Sequence, residues 1–255
     1  MSWSARLYST FETERTRPVR DLVAALPERP VTHGTDLGCG PGNSTAVLAA
    51  RFPDAALTGL DSSPDMIAAA RERMPSTRFE LADIATWQAA LPQDVILANA
   101  SLQWLPDHAT LYPRLLAQLS AGGSLAIQTP DNIDEPAHRV AREVASAGPW
   151  AARLENVRHL PRHTADWYYA LLRPHCARVD VWRTTYYHPL ADAAAIVEWF
   201  KASVLRPYLG ALQAAERDAF LHRYHAGIAQ AYPALPDGSV LLPFPRLFIV
   251  ASRAQ

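Results

Sequence analysis

Three glycines at alternate positions, Gly38, Gly40 and Gly42, form the segment of this sequence best suited to bind a ligand. They follow a predicted strand and precede a helical pattern that Asn43 or Ser44 can cap. Glycines let the main chain bend sharply and approach a ligand closely, and the helix N-terminus beyond them offers free N–H groups. Asn43 stands where dinucleotide-binding loops have Gly or Ala, which argues against that class of ligand. No Gly-Lys-Ser/Thr follows, so a nucleoside-triphosphate P-loop is excluded.

Two acids follow the glycines at the ends of later predicted strands. Asp61 lies 19 residues after Gly42, where a carboxylate can accept hydrogen bonds from both hydroxyls of a ribose. Asp83 ends the next strand and can bind an adenine amino group, with Ile84 packed on the ring. The alternatives are an acid at a helix N-terminus for Asp61 and a plain turn residue for Asp83. All three elements fall at carboxyl ends of successive strands, where open α/β sheets bind ligands.

Alternating strand and helix patterns position these groups. The predicted strands are 34–37, 56–60, 78–81, 94–98 and 124–128, and the predicted helices between them are 44–52, 64–74 and 109–119. Strands separated by helices of this length indicate parallel βαβ units.

The rest of the chain has a different rhythm. We predict a single domain over 1–255 with a cofactor-binding core at 30–130. Residues 131–175 and 189–240 are predicted to be helical cap insertions, and 176–188 and 244–252 to be C-terminal strands. The fold class is therefore α/β, a doubly wound, mostly parallel seven-stranded sheet with helical caps.

Composition excludes several classes of protein. Hydrophobic residues make up 49% of the 255 residues and charged residues 19%, which is ordinary for a globular protein. With 25 acids and 24 bases the net charge is −1, which argues against broad binding of nucleic acid. Two cysteines are too few for a disulfide scaffold. We expect no metal site, no signal peptide, no membrane span and a cytoplasmic location, and the sequence does not indicate an oligomeric state.

The segments Asp36–Gly42, Gly59–Pro64 and Ala82–Ile84 resemble the cofactor motifs of class I S-adenosyl-L-methionine-dependent methyltransferases, and Asp94–Trp104 resembles the segment that closes their methyl-transfer site. The resemblance implies a Rossmann-like sheet and S-adenosyl-L-methionine as the cofactor. The residues that it assigns to the cofactor are Gly38, Gly40, Gly42, Asp61, Ser62, Asp83, Ile84 and Asn99. Tyr8 is a candidate for a lid over the cofactor, with an aromatic anchor for its helix as the alternative.

A closer resemblance extends over nearly the whole chain, to the family of trans-aconitate 2-methyltransferases. Its segments include Glu14–Pro18, Ala100–His108, Pro130–Asn132, Val181–His188, Leu205–Pro207 and Phe244–Ala251. The family usually has Gly where this chain has Val204, and 146–162 carries no recognised motif. The resemblance implies that the chain forms a monomethyl ester of a small tricarboxylic acid.

A carboxylate acceptor sets its own requirements. The nucleophile is ionised at neutral pH, so we assign no catalytic general base. The protein must align the acceptor and supply cations, for which arginine is suited. The predicted substrate residues are Arg183, Tyr186, Arg206, Arg246, Gln103 and Trp104, with Tyr187 and His188 as neighbours of Tyr186. For each arginine the alternative is an ion pair, and for Trp104 it is packing in the core.

Two other functions stay open at this point. The segment Leu102–Trp104 is also similar to malonyl-carrier methyltransferases, which act on a thioester-linked dicarboxylate and need a docking face for an acidic carrier. A nicotinamide-dependent oxidoreductase, or a nucleotide-binding module without chemistry, shares the glycine loop and the ribose acid.

Overall fold

The computed structural model describes residues 12–157, 162–201 and 203–254, so Tyr8 lies outside the described residues. The described residues form one seven-stranded sheet with strand order β3-β2-β1-β4-β5-β7-β6. The strands are β1 His33–Leu37, β2 Ala56–Asp61, β3 Arg78–Leu81, β4 Gln93–Asn99, β5 Leu119–Pro130, β6 Arg178–Leu190 and β7 Val240–Ser252. Each strand predicted from the sequence is present.

The first five strands are parallel. Strand β1 pairs with β2 on one side and β4 on the other, β2 pairs with β3, and β4 pairs with β5. From β1 the chain first adds β2 and β3 on one side. It then crosses to the other side of β1, where β4 and β5 are added. This reversal creates a crevice at the carboxyl ends of β1 and β4, the usual place for a ligand in such sheets. The predicted doubly wound, mostly parallel α/β fold is confirmed.

Helices alternate with the first strands and dominate the later chain. They are α1 Glu12–Ala24, α2 Asn43–Arg51, α3 Pro64–Arg73, α4 His108–Leu116, α5 Pro136–Ala147, α6 Ala151–Leu154, α7 Ala165–Leu172, α8 Ala193–Lys201, α9 Arg206–Ala211 and α10 Ala214–Ala231. Pro64 begins α3 because a residue at this position needs no N–H partner. Asp107 caps α4 by accepting from the Thr110 N–H. None of the described helices is long and apolar enough to cross a membrane.

The chain divides into two compact units. Unit 1 comprises the described parts of 1–130, 162–184 and 247–255, and unit 2 those of 131–161 and 185–246. In unit 1, buried apolar residues of the strands, such as Leu37, Ile96 and Ile127, pack with residues of α4 and α7. In unit 2, α10 packs against α5 and α8. Helix α7 falls within the predicted cap insertion 131–175 but belongs to unit 1, and the single-domain organisation stays a prediction.

Candidate active site

The glycine loop between β1 and α2 adopts a backbone that side chains disfavour. Gly38 has φ 74° and Gly40 has φ 54°. At Gly38 an added Cβ would overlap the Cβ of Ser101, so the loop and the segment after β4 approach too closely for any side chain. At Gly40 an added Cβ would meet nothing within 4 Å, so the main chain is bare on that side. The loop thus has bare main chain at Gly40, where a ligand can approach, and the cofactor role of the three glycines stays a prediction.

Asp61, at the end of β2, holds the glycine loop in place. Its Oδ2 accepts from the Gly40 N–H at 3.0 Å and its Oδ1 from the Ser63 N–H at 2.8 Å. Burial raises the pKa of Asp61, and the backbone donors, including that of the exposed Ser62, act in the opposite direction. A carboxylate has about four lone-pair positions, so Asp61 keeps the capacity to accept a hydrogen bond from a ribose hydroxyl.

Asp36 is the residue that the sequence reasoning missed, although it lies within the first motif. It is 1% exposed, and its Oδ2 accepts from the hydroxyls of Ser44 and Thr45, both at 2.7 Å. Its Oδ1 has no hydrogen-bond partner among the described residues. Burial raises the pKa of this carboxyl from 3.8 to about 6, opposed by the two hydroxyls and reinforced by the charge of Asp61. A polar residue in a buried strand with two hydroxyls on the next helix was the available signal.

Two more buried acceptors lie at the end of β4 and in the turn that follows it. Asn99 Oδ1 and Gln103 Oε1 have no partner within the described ranges. The Gln103 side chain is oriented by its Nε2, which donates to the Ala100 carbonyl at 2.6 Å. Buried polar atoms are normally hydrogen-bonded, so three such oxygens at the ends of β1 and β4 indicate a ligand with several donors. An ammonium group, with three donors and a positive charge, fits this set.

The segment after β3 lies beside the loop and carries Asp83 and Ile84. Asp83 is exposed, and its Oδ1 accepts from the Ala85 N–H at 2.8 Å. The half-buried Ile84 reaches the loop, since its Cδ1 lies 3.6 Å from where a Gly38 Cβ would be. Arg114 of α4 fixes this segment by donating to the Ile84 carbonyl at 2.8 Å. Asp83 therefore makes a turn contact, and Ile84 presents an apolar surface on which a purine can pack.

The 3₁₀ turn Leu102–Trp104 follows shortly after β4, at the end of the sheet where the parallel strands terminate. Ser101, just before it, donates from its hydroxyl to the Leu37 carbonyl at 2.6 Å, which joins the turn to the glycine loop. Trp104 is 49% exposed, so it is not a core residue and can serve as a wall of the site. Arg162 donates from Nη1 to the Gln103 carbonyl at 3.3 Å. Arg162 lies in the segment for which the sequence showed no motif.

The other predicted substrate residues are divided between the two units. Arg183, in unit 1, lies on the exposed side of β6, whereas the next buried side chain, Tyr186, belongs to unit 2 and the opposite face. Unit 2 also contains Arg206, half-buried at the start of α9, and Arg246, which is 4% exposed. The Arg246 guanidinium stacks over the Phe244 ring at 4.7 Å. The structure therefore does not bring Arg183 and Tyr186 together on one face, and the substrate roles of these residues stay predictions.

The described cysteine Cys39 is not a reactive thiol. Burial raises the pKa of the Cys39 thiol, with the charges of Asp36 and Asp61 adding to the effect, so Cys39 stays a thiol and packs beside Ile67. Over the described ranges, no three His, Cys, Asp or Glu side chains are arranged to hold a metal ion.

Comparisons with known proteins point to a methyltransferase family. The profile of a family described as "Methyltransferase domain" matches residues 35–123, from β1 into β5. A trans-aconitate 2-methyltransferase of Methylobacterium radiotolerans is 53% identical over 257 residues, which cover 99% of each chain. One of Yersinia pestis (strain Pestoides F) is also 53% identical, over 98% of this chain and 97% of that relative.

A solved structure supports the fold. The plantazolicin methyltransferase BpumL in complex with SAH has a TM-score of 0.52 and 18% sequence identity, covering 98% of this chain and 90% of that chain.

Proposed function

The chain belongs to the trans-aconitate 2-methyltransferase family of S-adenosyl-L-methionine-dependent methyltransferases, and on that premise we propose that it esterifies one carboxylate of trans-aconitate to the monomethyl ester. The observation that carries the proposal is the 53% identity over nearly the full length, which includes the later segments expected to bind the acceptor as well as the cofactor core. A domain match confined to the core would support methyl transfer without indicating its acceptor.

The residues of unit 1 fit the cofactor. Asp36, Asn99 and Gln103 supply buried oxygen acceptors for its ammonium group, and Asp61 supplies acceptors for its ribose. Ile84 supplies an apolar surface for its adenine. S-adenosyl-L-methionine, when bound, provides an electrophilic methyl group on a sulfonium.

The acceptor needs orientation more than activation. A carboxylate is ionised at neutral pH, so no side chain has to remove a proton before methyl transfer. The protein's contribution is to hold the acceptor oxygen in line with the methyl group and to exclude water. Fixed arginines serve this purpose, because a guanidinium stays charged and matches a carboxylate in geometry. Arg246, buried and stacked on Phe244, is already held in one position.

The test is methyl transfer by the purified chain from methyl-labelled S-adenosyl-L-methionine to a panel of small acids. We expect an ester of trans-aconitate as the main labelled product. Labelling of a malonyl thioester on an acidic carrier, without labelling of free acids, would support the carrier-type alternative and reject the proposal. Tight binding of NAD without binding of S-adenosylhomocysteine would contradict the cofactor. The cytoplasmic location and the absence of nucleic-acid binding stay predictions.

Removing the ribose acid is expected to weaken cofactor binding. Asp61→Ala should weaken the binding free energy of S-adenosylhomocysteine by about 1–3 kcal/mol, because charge-assisted hydrogen bonds are lost. Calorimetry measures this change. Asp65→Ala removes an exposed acid from the first turn of α3 and is the control. An unchanged dissociation constant for Asp61→Ala would remove this residue from the site.

The predicted substrate arginines should affect the acceptor alone. Arg183→Ala or Arg206→Ala is expected to raise KM for trans-aconitate by about tenfold, the effect of losing one charged hydrogen bond, with cofactor affinity near normal. Arg178→Ala is the control, since Arg178 lies on the same strand as Arg183 and pairs with Asp180 at 3.0 Å. If cofactor affinity and folding collapse instead, the substituted arginine has a structural role.

A further inference from the structure

We propose that Arg162 pairs with a carboxylate of the acceptor that is not methylated, and that it thereby selects a polycarboxylate. This inference rests on the proposed function and adds a residue to which the sequence motifs assign no role.

Position is the first argument. Arg162 Nη1 donates to the carbonyl of Gln103, at the centre of the 3₁₀ turn Leu102–Trp104. Ser101, the residue before this turn, is so close to Gly38 that a methyl group added at Gly38 would overlap the Ser101 side chain. The guanidinium is therefore hydrogen-bonded directly to the turn that lies against the glycine loop. All of these groups belong to unit 1.

The turn that holds Arg162 is rigid. His108, buried at the start of α4, lies 3.0 Å from the Leu102 carbonyl through its Nε2 and 2.6 Å from the Tyr168 hydroxyl through its Nδ1. A carbonyl only accepts, so Nε2 carries the proton and Tyr168 donates to Nδ1. Two successive carbonyls of the turn are thus held by side chains from other elements. A cation on such a support loses little freedom when it binds an anion.

Charge is the second argument. His108 has a lowered pKa, chiefly through burial, with the nearby charges of His163 and Arg162 adding to the effect. Tyr112, which is fully buried, has a pKa raised by burial and by Tyr168, and Arg162 acts against that rise. His108 and Tyr112 are therefore neutral at neutral pH, so neither of these two groups neutralises the charge of Arg162.

Trp104, in the same turn as the carbonyl that holds Arg162, is 49% exposed and offers an aromatic wall for a small acid. A planar guanidinium with five N–H donors can bind a carboxylate through two parallel hydrogen bonds. An unsaturated tricarboxylate offers two carboxylates besides the one that is methylated, and Arg162 needs only one of them.

The experiment measures binding of four acids by calorimetry in the presence of S-adenosylhomocysteine. The acids are trans-aconitate and three dicarboxylates that each lack one of its carboxylates, namely mesaconate, cis-glutaconate and itaconate. Arg162→Gln should lower the affinity for trans-aconitate about tenfold, as expected for the loss of a half-exposed charged pair. The dicarboxylate that lacks the paired carboxylate should bind the variant and the wild type equally. Arg162→Lys should recover part of the lost affinity, because it keeps the charge but not the planar fork.

Arg173→Gln is the matched control, because Arg173 also donates from Nη1 to a backbone carbonyl in unit 1, that of Cys176 at 2.7 Å. Equal weakening of all four acids by Arg162→Gln would show that Arg162 only braces the turn, and unchanged affinity for trans-aconitate would also overturn the inference. If the wild type methylates trans-aconitate and either result is found, this inference fails while the proposed function stands. If the wild type neither binds nor methylates it, the proposed function fails first.

A spectroscopic measurement is independent of turnover. The ring C–H signals of His108 report its titration by nuclear magnetic resonance. We expect saturation with trans-aconitate to raise the pKa of His108 in the wild type, because the bound anion offsets the charge of Arg162. In Arg162→Gln the pKa of His108 should already be raised in the absence of the acid. A His108 titration that ignores trans-aconitate in the wild type would contradict the pairing.

Discussion

Gly38→Ala should lose most of its cofactor binding and about 2–5 kcal/mol of its free energy of unfolding. The left-handed backbone at φ 74° costs a side chain about 1–2 kcal/mol. The overlap of the new methyl group with Ser101 adds about 1–3 kcal/mol, the usual range for overpacking in a close-packed interior. The loop must shift to relieve this overlap, which moves the backbone that faces the cofactor. Denaturant unfolding and calorimetry with S-adenosylhomocysteine measure the two effects.

Two further variants separate the causes. Gly238→Ala has the same kind of backbone, with φ 85°, but an added Cβ there meets nothing within 4 Å, so it should show the backbone effect alone. Gly38→Ala combined with Ser101→Gly removes the overlap and should recover part of the stability, less the lost hydrogen bond from Ser101 to Leu37. If Gly38→Ala is no worse than Gly238→Ala, close packing between the loop and the turn is refuted.

Asp36→Asn should change the pH dependence of stability in the absence of cofactor. The pKa of Asp36 is raised from 3.8 to about 6, so the folded state holds this proton more tightly than the unfolded state does. The wild type therefore loses stability as pH rises from about 4 to 6, by about 3 kcal/mol in total, since one pKa unit corresponds to about 1.4 kcal/mol. The amide of Asn has no charge to bury, so the variant should lack this decline.

Unfolding by denaturant between pH 4 and pH 8 checks the result. The free energy of unfolding of the variant should increase relative to that of the wild type as pH rises. Above pH 6 the variant should bind S-adenosylhomocysteine more weakly, because the ammonium group of the ligand loses a charged partner. Asp65→Asn, on the exposed side of α3, should run parallel to the wild type. Parallel profiles for Asp36→Asn and the wild type would show that Asp36 is not buried as a charge.

The sequence was sufficient for the parallel core because its signals there are local. Strands β1 to β4 lie within a residue of the predicted positions, since each is a short segment bounded by turn residues and helical patterns. Strand β5 begins at Leu119, five residues before its predicted start, because pairing with β4 continues beyond the glycines Gly122 and Gly123 through a register shift. Strand β7 begins at Val240 and contains Pro243 and Pro245, residues that normally argue against a strand.

The site was only partly predictable because some of its partners meet through the tertiary fold. The glycine loop and Asp61 follow a spacing that can be read along the chain. Arg162 and Gln103 are 59 positions apart, and no spacing rule connects them. The position of Asp36 can be read from the sequence, but its environment cannot. Its burial and the two hydroxyls that contact it depend on how α2 packs on the sheet. Burial and partners had to be observed.

The reversal of strand order between β1 and β4 has a consequence for protein synthesis. A nascent chain that has emerged from the ribosome only as far as β3 already contains Gly38 and Asp61, but it lacks Ser101 and the turn that follows. The wall opposite the glycine loop exists only after β4 has inserted beside β1 on the side away from β2. Capture of S-adenosylhomocysteine by stalled chains of increasing length should therefore begin only once residues through Trp104 have left the exit tunnel.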